Sequence, residues 1–248
     1  MSLEVITHAN SKRIRQINIK EEDLDKLIFP FNKRNITSLE YKPFTRFTLA
    51  KSVDDIFSGK LSKTLSETLK DRNTGAVIIK PDIKNSKFDK DFLVKLSTAL
   101  AHLVGSPNFD SMTGKYYARF YVKHLDSSDS YLRKAYTSMD LHTDGTYVKE
   151  KTDWLIMTKM EEVHVQGGES VLLHLDDWEH CKELCSNPVG KQDFVWGSPE
   201  SKNINYKVEH PVFSEDESGK PIISYIDQFP EPKNMEQGLF LQKLSDAL

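Results

Sequence analysis

Cysteine is nearly absent from this chain: Cys181 and Cys185 are the only two among 248 residues. Their i, i+4 spacing is not a C-x-x-C motif, and two thiols do not build a disulfide framework. A small secreted scaffold is thereby excluded, and a cytoplasmic, reducing location is expected. Charge of one sign is also lacking. The formal net charge is −3 with 29% charged residues, so no basic excess points to nucleic acid or to an anionic membrane surface. The pairs Lys12-Arg13 and Lys33-Arg34 are too short to change that reading. No apolar run approaches the length of a membrane span, and residues 1–10 lack the apolar core of a secretory signal. There is no internal repeat or low-complexity tract, and no arginine follows Arg133.

What is present is enough chain for one large domain with a substantial core. Residues 1–40 are polar, lysine-rich and weakly patterned, and are expected to form a peripheral segment ahead of a domain over 41–248. Apolar residues at helical spacing predict a helix over 53–69 (Ile56, Phe57, Leu61, Leu65, Leu69) and a second over 88–104. The second carries Phe92, Leu96, Leu100 and Leu103 on one stripe, His102 at its margin as a partly covered surface residue, and Gly105 as its stop. Between them, residues 76–80 read as a buried strand ended by Pro81. From residue 116 the pattern turns β-rich, with strands predicted over 116–123, 141–148, 154–160, 170–175, 206–213 and 221–226, and a hairpin turn over 216–220. Many strands with short connections predict a mostly β fold with flanking helices, a sandwich or barrel rather than a parallel sheet.

The stretch richest in chemistry is Leu141-His142-Thr143-Asp144. In a strand, side chains two apart share a face, so His142 and Asp144 would point together while Thr143 points away. One imidazole and one carboxylate are two thirds of the 2-His-1-carboxylate triad that holds non-haem Fe(II) with positions left open. The alternative is a strand-edge histidine beside a solvated aspartate. Downstream, Gly167-Gly168-Glu169-Ser170 leads into the apolar run 171–175. A Gly-Gly pair lets backbone come close to a ligand with the Ser170 hydroxyl as donor, or it is only a hairpin turn.

The order H-T-D, strand, G-G-E-S, strand resembles the Fe(II)/2-oxoglutarate-dependent oxygenases of the taurine dioxygenase-like (clavaminate synthase-like) group. A closer resemblance runs along nearly the whole chain. Residues 108–120 (NFDSMTGKYYARF), 129–133 (DSYLR), 173–180 (LHLDDWEH) and 225–229 (YIDQF) are similar to the carbon-starvation-induced glutarate 2-hydroxylase family, while the first forty residues resemble it least. The resemblance implies a double-stranded β-helix, the jelly roll of the cupins. It implies His142 and Asp144 as iron ligands, Ser170 against 2-oxoglutarate, a cytoplasmic enzyme and a homotetramer. It also implies a reaction: 2-oxoglutarate and O2 are consumed, succinate and CO2 are released, and glutarate is hydroxylated at C2 to L-2-hydroxyglutarate, a step of lysine and glutarate catabolism.

Two expected parts have no counterpart in this sequence. The family's third ligand is a histidine in a C-terminal strand, and an arginine farther on grips 2-oxoglutarate. The histidines after Asp144 are His164, His174, His180 and His210. None occupies a segment matching that distal ligand, and His210 is the first alternative among them. The expectation is therefore a jelly roll without its last strands: a shortened form of a longer oxygenase, or a truncated relative acting as a cupin-like binding or assembly protein. A related oxygenase for another small carboxylic acid is the third alternative. A dicarboxylate substrate calls for arginine, which can grip a carboxylate with two parallel hydrogen bonds. Arg119 with Tyr121 on the same strand face is the first candidate, then Tyr131 and Arg133. Arg119 could equally pair with a carboxylate on a solvated face.

Overall fold

The computed structural model describes residues 3–83, 87–108, 110, 114–119, 138–164, 166–198 and 200–248. They divide into two compact units, one of Met1–Pro107 with Ile156–His164 and the other of Asn108–Leu155 with Val165–Leu248.

In the first unit, strand β1 (Glu4–His8) and β2 (Ser11–Ile19) form an antiparallel hairpin, and β2 pairs in parallel with β3 (Ala76–Pro81). Four helices lie between β2 and β3 in sequence: α1 (Glu21–Asn32), α2 (Ile36–Tyr41), α3 (Phe44–Ile56) and α4 (Lys60–Lys70). Helix α5 (Lys90–Val104) follows, started by Asp89, whose side chain accepts from the Phe92 amide. Strand alternation sends Ile17 and Ile19 to the same face, and they pack with Leu24, Leu27 and Phe31 of α1, Leu49 and Val53 of α3, and Phe92, Leu96 and Ala99 of α5. Burying each such side chain contributes roughly 1.5–3 kcal/mol. Residues 1–40 are therefore not peripheral. The many lysines and arginines in this stretch of sequence mask an inward apolar row whose partners lie on distant helices.

The helix predicted over 53–69 is interrupted. Ser58 and Gly59 both have positive φ (54° and 75°), which ends α3 and redirects the chain into α4. His102 is buried rather than marginal, its Nδ1 bonded to the Thr98 carbonyl at 2.8 Å and its ring edge-on to Phe47.

In the second unit, β4 (Asp193–Trp196) is the middle of a three-stranded sheet, flanked by β5 (Val208–Pro211) and β8 (Pro230–Glu231). Strands β6 (Phe213–Glu215) and β7 (Pro221–Ile223) form a hairpin. Its Asp216–Lys220 turn is closed by Asp216 Oδ1 accepting from the amides of Ser218 and Lys220, with Gly219 at φ 77°. Helix α6 (Cys181–Cys185) holds both thiols, sulphurs 3.5 Å apart, and α7 (Met235–Ala247) lays Phe240, Leu241 and Leu244 onto the core. That core centres on Phe194, Trp196, Val212, Phe213 and Tyr225.

Several predicted strands are not strands here. Residues 141–148 turn over at 144–147, and residues 154–160 and 170–175 have no ladder partner among the described residues. Of the run 116–123 the described part, 116–119, is irregular, while 120–123 lie outside the described residues. The predicted run 206–213 divides into β5 and β6 beyond Pro211, which has no N–H to donate to a ladder. Residues 221–226 keep only Pro221–Ile223. Leu155, Met157, Val171 and Leu172 are apolar yet exposed. An apolar run becomes a strand only where another backbone completes its hydrogen bonds. Among the described residues there are helices and small open sheets, with more helix than strand. None of those helices is long and apolar enough to cross a membrane.

Candidate metal and cosubstrate site

His142 is half-buried, and its Nδ1 lies 2.8 Å from the Asp140 carbonyl oxygen. A carbonyl only accepts, so Nδ1 carries the proton and Nε2 keeps a lone pair, the form in which imidazole binds metal. Thr143 is bound to Tyr225 of the core: its amide donates to the Tyr225 carbonyl (2.8 Å), and its Oγ1 accepts from the Tyr225 amide (2.9 Å). Asp144 then opens a turn through Tyr147, exposed at its first position. Gly145 has φ 79°, and a Cβ there would lie 2.3 Å from Thr152 Oγ1, so both conformation and space demand glycine. The strand alternation expected to align His142 with Asp144 is absent. What fixes the tripeptide is the Thr143 clasp in front of a tight turn.

That turn is tied down at two further points. Thr146 is fully buried, its carbonyl 2.7 Å from Nε2 of His210, while its Oγ1 has no hydrogen-bond partner among the described residues. Tyr147 packs edge-on against Phe229 at 5.1 Å. Burial raises the Tyr147 phenol above its ordinary value, and the nearby charges of Asp144 and Asp110 add to the shift.

Gly167 and Gly168 both have positive φ (80° and 78°), with open space where a Cβ would be, and Ser170 beyond them is exposed. The glycines thus make a left-handed bend, and the serine hydroxyl faces solvent-accessible space. Arg119 is exposed, its guanidinium 5.8 Å from the centre of the Tyr117 ring. Tyr121, Tyr131 and Arg133 lie outside the described residues.

Imidazole nitrogen and carboxylate oxygen are donors that suit Fe(II). Among the described residues no third histidine, cysteine, aspartate or glutamate joins them in a group able to hold a metal. His210 is not a spare ligand: Nε2 faces the Thr146 carbonyl at 2.7 Å and Nδ1 the Pro211 carbonyl at 2.9 Å, so both nitrogens are directed at backbone carbonyls rather than outward. His174 Nδ1 is occupied in accepting from the Asp176 amide. His180 faces Glu179 at 3.6 Å.

The CsiD family model matches residues 3–248. The chain belongs to the CsiD family. Its relatives include the glutarate 2-hydroxylase of Klebsiella pneumoniae (strain 342), 45% identical over 240 residues. Those of Salmonella typhimurium (strain SL1344) and Salmonella newport (strain SL254) are each 43% identical over the same length. Each match covers 97% of this chain and 74% of the relative. The match begins at residue 3 of this CsiD-family chain, so the family pattern includes the first forty residues along with the rest.

Sequence reading passes over Tyr225 as a contributor to this region and offers His210 only as an alternative ligand, not as a partner of the Thr146 carbonyl. The family-like YIDQF segment drew attention to Tyr225, but nothing local pairs it with Thr143. His210, a lone histidine in an alternating strand, carries no motif at all.

Proposed function

We propose that this chain carries out the reaction named for its relatives, the hydroxylation of glutarate at C2 to L-2-hydroxyglutarate, using Fe(II), 2-oxoglutarate and O2. The observation that carries the proposal is 45% identity to a glutarate 2-hydroxylase across 97% of the chain. The hydrogen bond from Nδ1 of His142 to the Asp140 carbonyl supports it, because it leaves Nε2 available as a metal donor two residues before Asp144.

On this reading His142 and Asp144 bind the iron, one neutral and one anionic donor from a single tripeptide. Iron with 2-oxoglutarate and O2 bound there supplies the oxidation, with succinate and CO2 as the other products. The Thr143 clasp keeps the two donors from drifting apart. Ser170 donates its hydroxyl hydrogen to a 2-oxoglutarate carboxylate, the glycines before it allowing close approach. Arg119 binds the far carboxylate of the dicarboxylate substrate, with Tyr121, Tyr131 and Arg133 as further contacts. A jelly-roll domain, a cytoplasmic location and a homotetramer complete the proposal.

The test is an assay of the full-length protein with Fe(II), 2-oxoglutarate and glutarate, reading succinate and 2-hydroxyglutarate by mass spectrometry. One succinate per hydroxyglutarate is expected, abolished in His142→Ala and in Asp144→Ala. Normal turnover in either variant would remove that residue from the iron site. Succinate release that responds to another small carboxylic acid and not to glutarate would overturn the substrate.

A further inference from the structure

His210 stands where it can control the turn that carries Asp144. Its ring lies flat on the indole of Trp196, centroids 4.8 Å apart and planes within 8°. The same indole donates from Nε1 to the His210 carbonyl at 3.0 Å, so Trp196 holds both ring and backbone of this residue. Trp196 is fully buried on the central strand β4, and His210 pairs across the sheet with Phe194, the residue two before Trp196. The stack is thus the diagonal contact of an antiparallel pair, anchored in the middle of the core. From that anchor Nε2 reaches the carbonyl of Thr146, two residues beyond Asp144.

We propose that His210 is a positioning residue: its ring, clamped by Trp196, holds the Asp144–Tyr147 turn through the Thr146 carbonyl and so sets where the Asp144 carboxylate stands relative to His142. The turn has few other ways to stay in place. Thr146 Oγ1 has no partner among the described residues, so its backbone carbonyl carries the attachment. At Gly145 the turn runs so close to Thr152 that a Cβ would come within 2.3 Å of its Oγ1. Tyr225 fixes Thr143 on one side of Asp144, and His210 fixes Thr146 on the other. The backbone of Asp144 is thereby held on both sides.

The proposal rests on the reading of His142 and Asp144 as metal ligands, and the experiment keeps the two claims apart. His210→Phe leaves an aromatic ring for Trp196 and removes both nitrogens. His210→Gln keeps a donor able to reach the Thr146 carbonyl. In the full-length protein, amide hydrogen exchange over residues 143–148 should quicken about tenfold in His210→Phe and return toward wild type in His210→Gln. Cobalt(II) affinity, read by absorbance, should fall about tenfold in His210→Phe and recover in His210→Gln, the range expected when a residue supporting a metal ligand is lost. Unchanged exchange in His210→Phe would overturn the attachment. Faster exchange with unchanged cobalt affinity would overturn the positioning role. If His142→Ala also binds cobalt normally, the ligand assignment itself is wrong, and the exchange result still decides whether His210 holds the turn. Circular dichroism of both variants identifies a loss of fold, and the Gln variant then carries the comparison.

Discussion

Thr143 and Tyr225, 82 residues apart in sequence, are joined through backbone and hydroxyl: the Thr143 amide donates to the Tyr225 carbonyl, and the Tyr225 amide donates to Thr143 Oγ1. Replacing Thr143 by Val keeps the shape and removes the acceptor, leaving a part-buried amide unpaired. The cost should be about 1–3 kcal/mol, seen as a lower thermal midpoint, while Thr143→Ser should stay near wild type. A Val variant as stable as the parent would mean that the hydroxyl contributes nothing to the clasp.

The Tyr225 phenol is pushed up to about 12. Burial is the main cause, helped by the charges of Asp227, Asp140 and Asp246 and opposed by a hydrogen bond with Ser245. The folded state holds this proton more tightly than the unfolded chain, where the ordinary value is near 10. The stabilisation is complete below pH 10 and is lost as pH rises toward 12. Denaturant midpoints between pH 9 and 12 should fall in wild type and fall less in Tyr225→Phe. Parallel curves for the two proteins would discard the assignment.

At the acid end the first unit is expected to respond through His102. Burial lowers its basicity below the ordinary 6.5; the bond to the Thr98 carbonyl opposes this, and the Arg46 charge adds to it. The unfolded chain therefore takes up the proton first, and stability present above pH 6.5 is lost as pH falls through the folded value. Urea midpoints at pH 7.5 and pH 5 should differ less in His102→Leu than in wild type.

Gly190 is needed for space. A Cβ there would come within 2.6 Å of Phe240 Cζ and 2.9 Å of Phe213 Cδ2, and both rings are buried. Gly190→Ala should destabilise the second unit by about 1–3 kcal/mol, the range for overpacking a core. Calorimetry showing no loss would mean that the rings move aside freely.

Ser170 is exposed, so its removal should leave stability alone and act on the cosubstrate. Losing one hydrogen bond to a carboxylate corresponds to roughly 1.5–3 kcal/mol, hence a 2-oxoglutarate KM about tenfold higher or more in Ser170→Ala. An unchanged KM would reduce the Gly167–Ser170 segment to a bend.

What could be read ahead of the structure was mostly local. The stripe of Phe92, Leu96 and Leu100 predicted α5, the run 76–80 predicted β3, and the polar loop 216–220 predicted its hairpin. The histidine and aspartate of the candidate site stood out as a pair because they are two residues apart. The supports of that pair did not, since Tyr225 and His210 reach it across long stretches of chain. Residues 1–40 misled for a related reason: Ile17 and Ile19 sit among lysines, arginines and glutamines, and only the packing of α1, α3 and α5 shows which face is inward. Apolar runs over 154–160 and 170–175 read as strands because composition reports a preference, while a ladder requires a second backbone.

The parallel pairing of β2 with β3 bears on how the first unit assembles. The hairpin β1–β2 closes across a two-residue turn and can form within microseconds. Strand β3 cannot join β2 until the chain through α1, α2, α3 and α4 has been brought round, so its contacts carry the long loop closure that slows folding. Gathering those helices is thus the expected rate-limiting event, and the sheet edge of β2 stays open to other strands until it is complete.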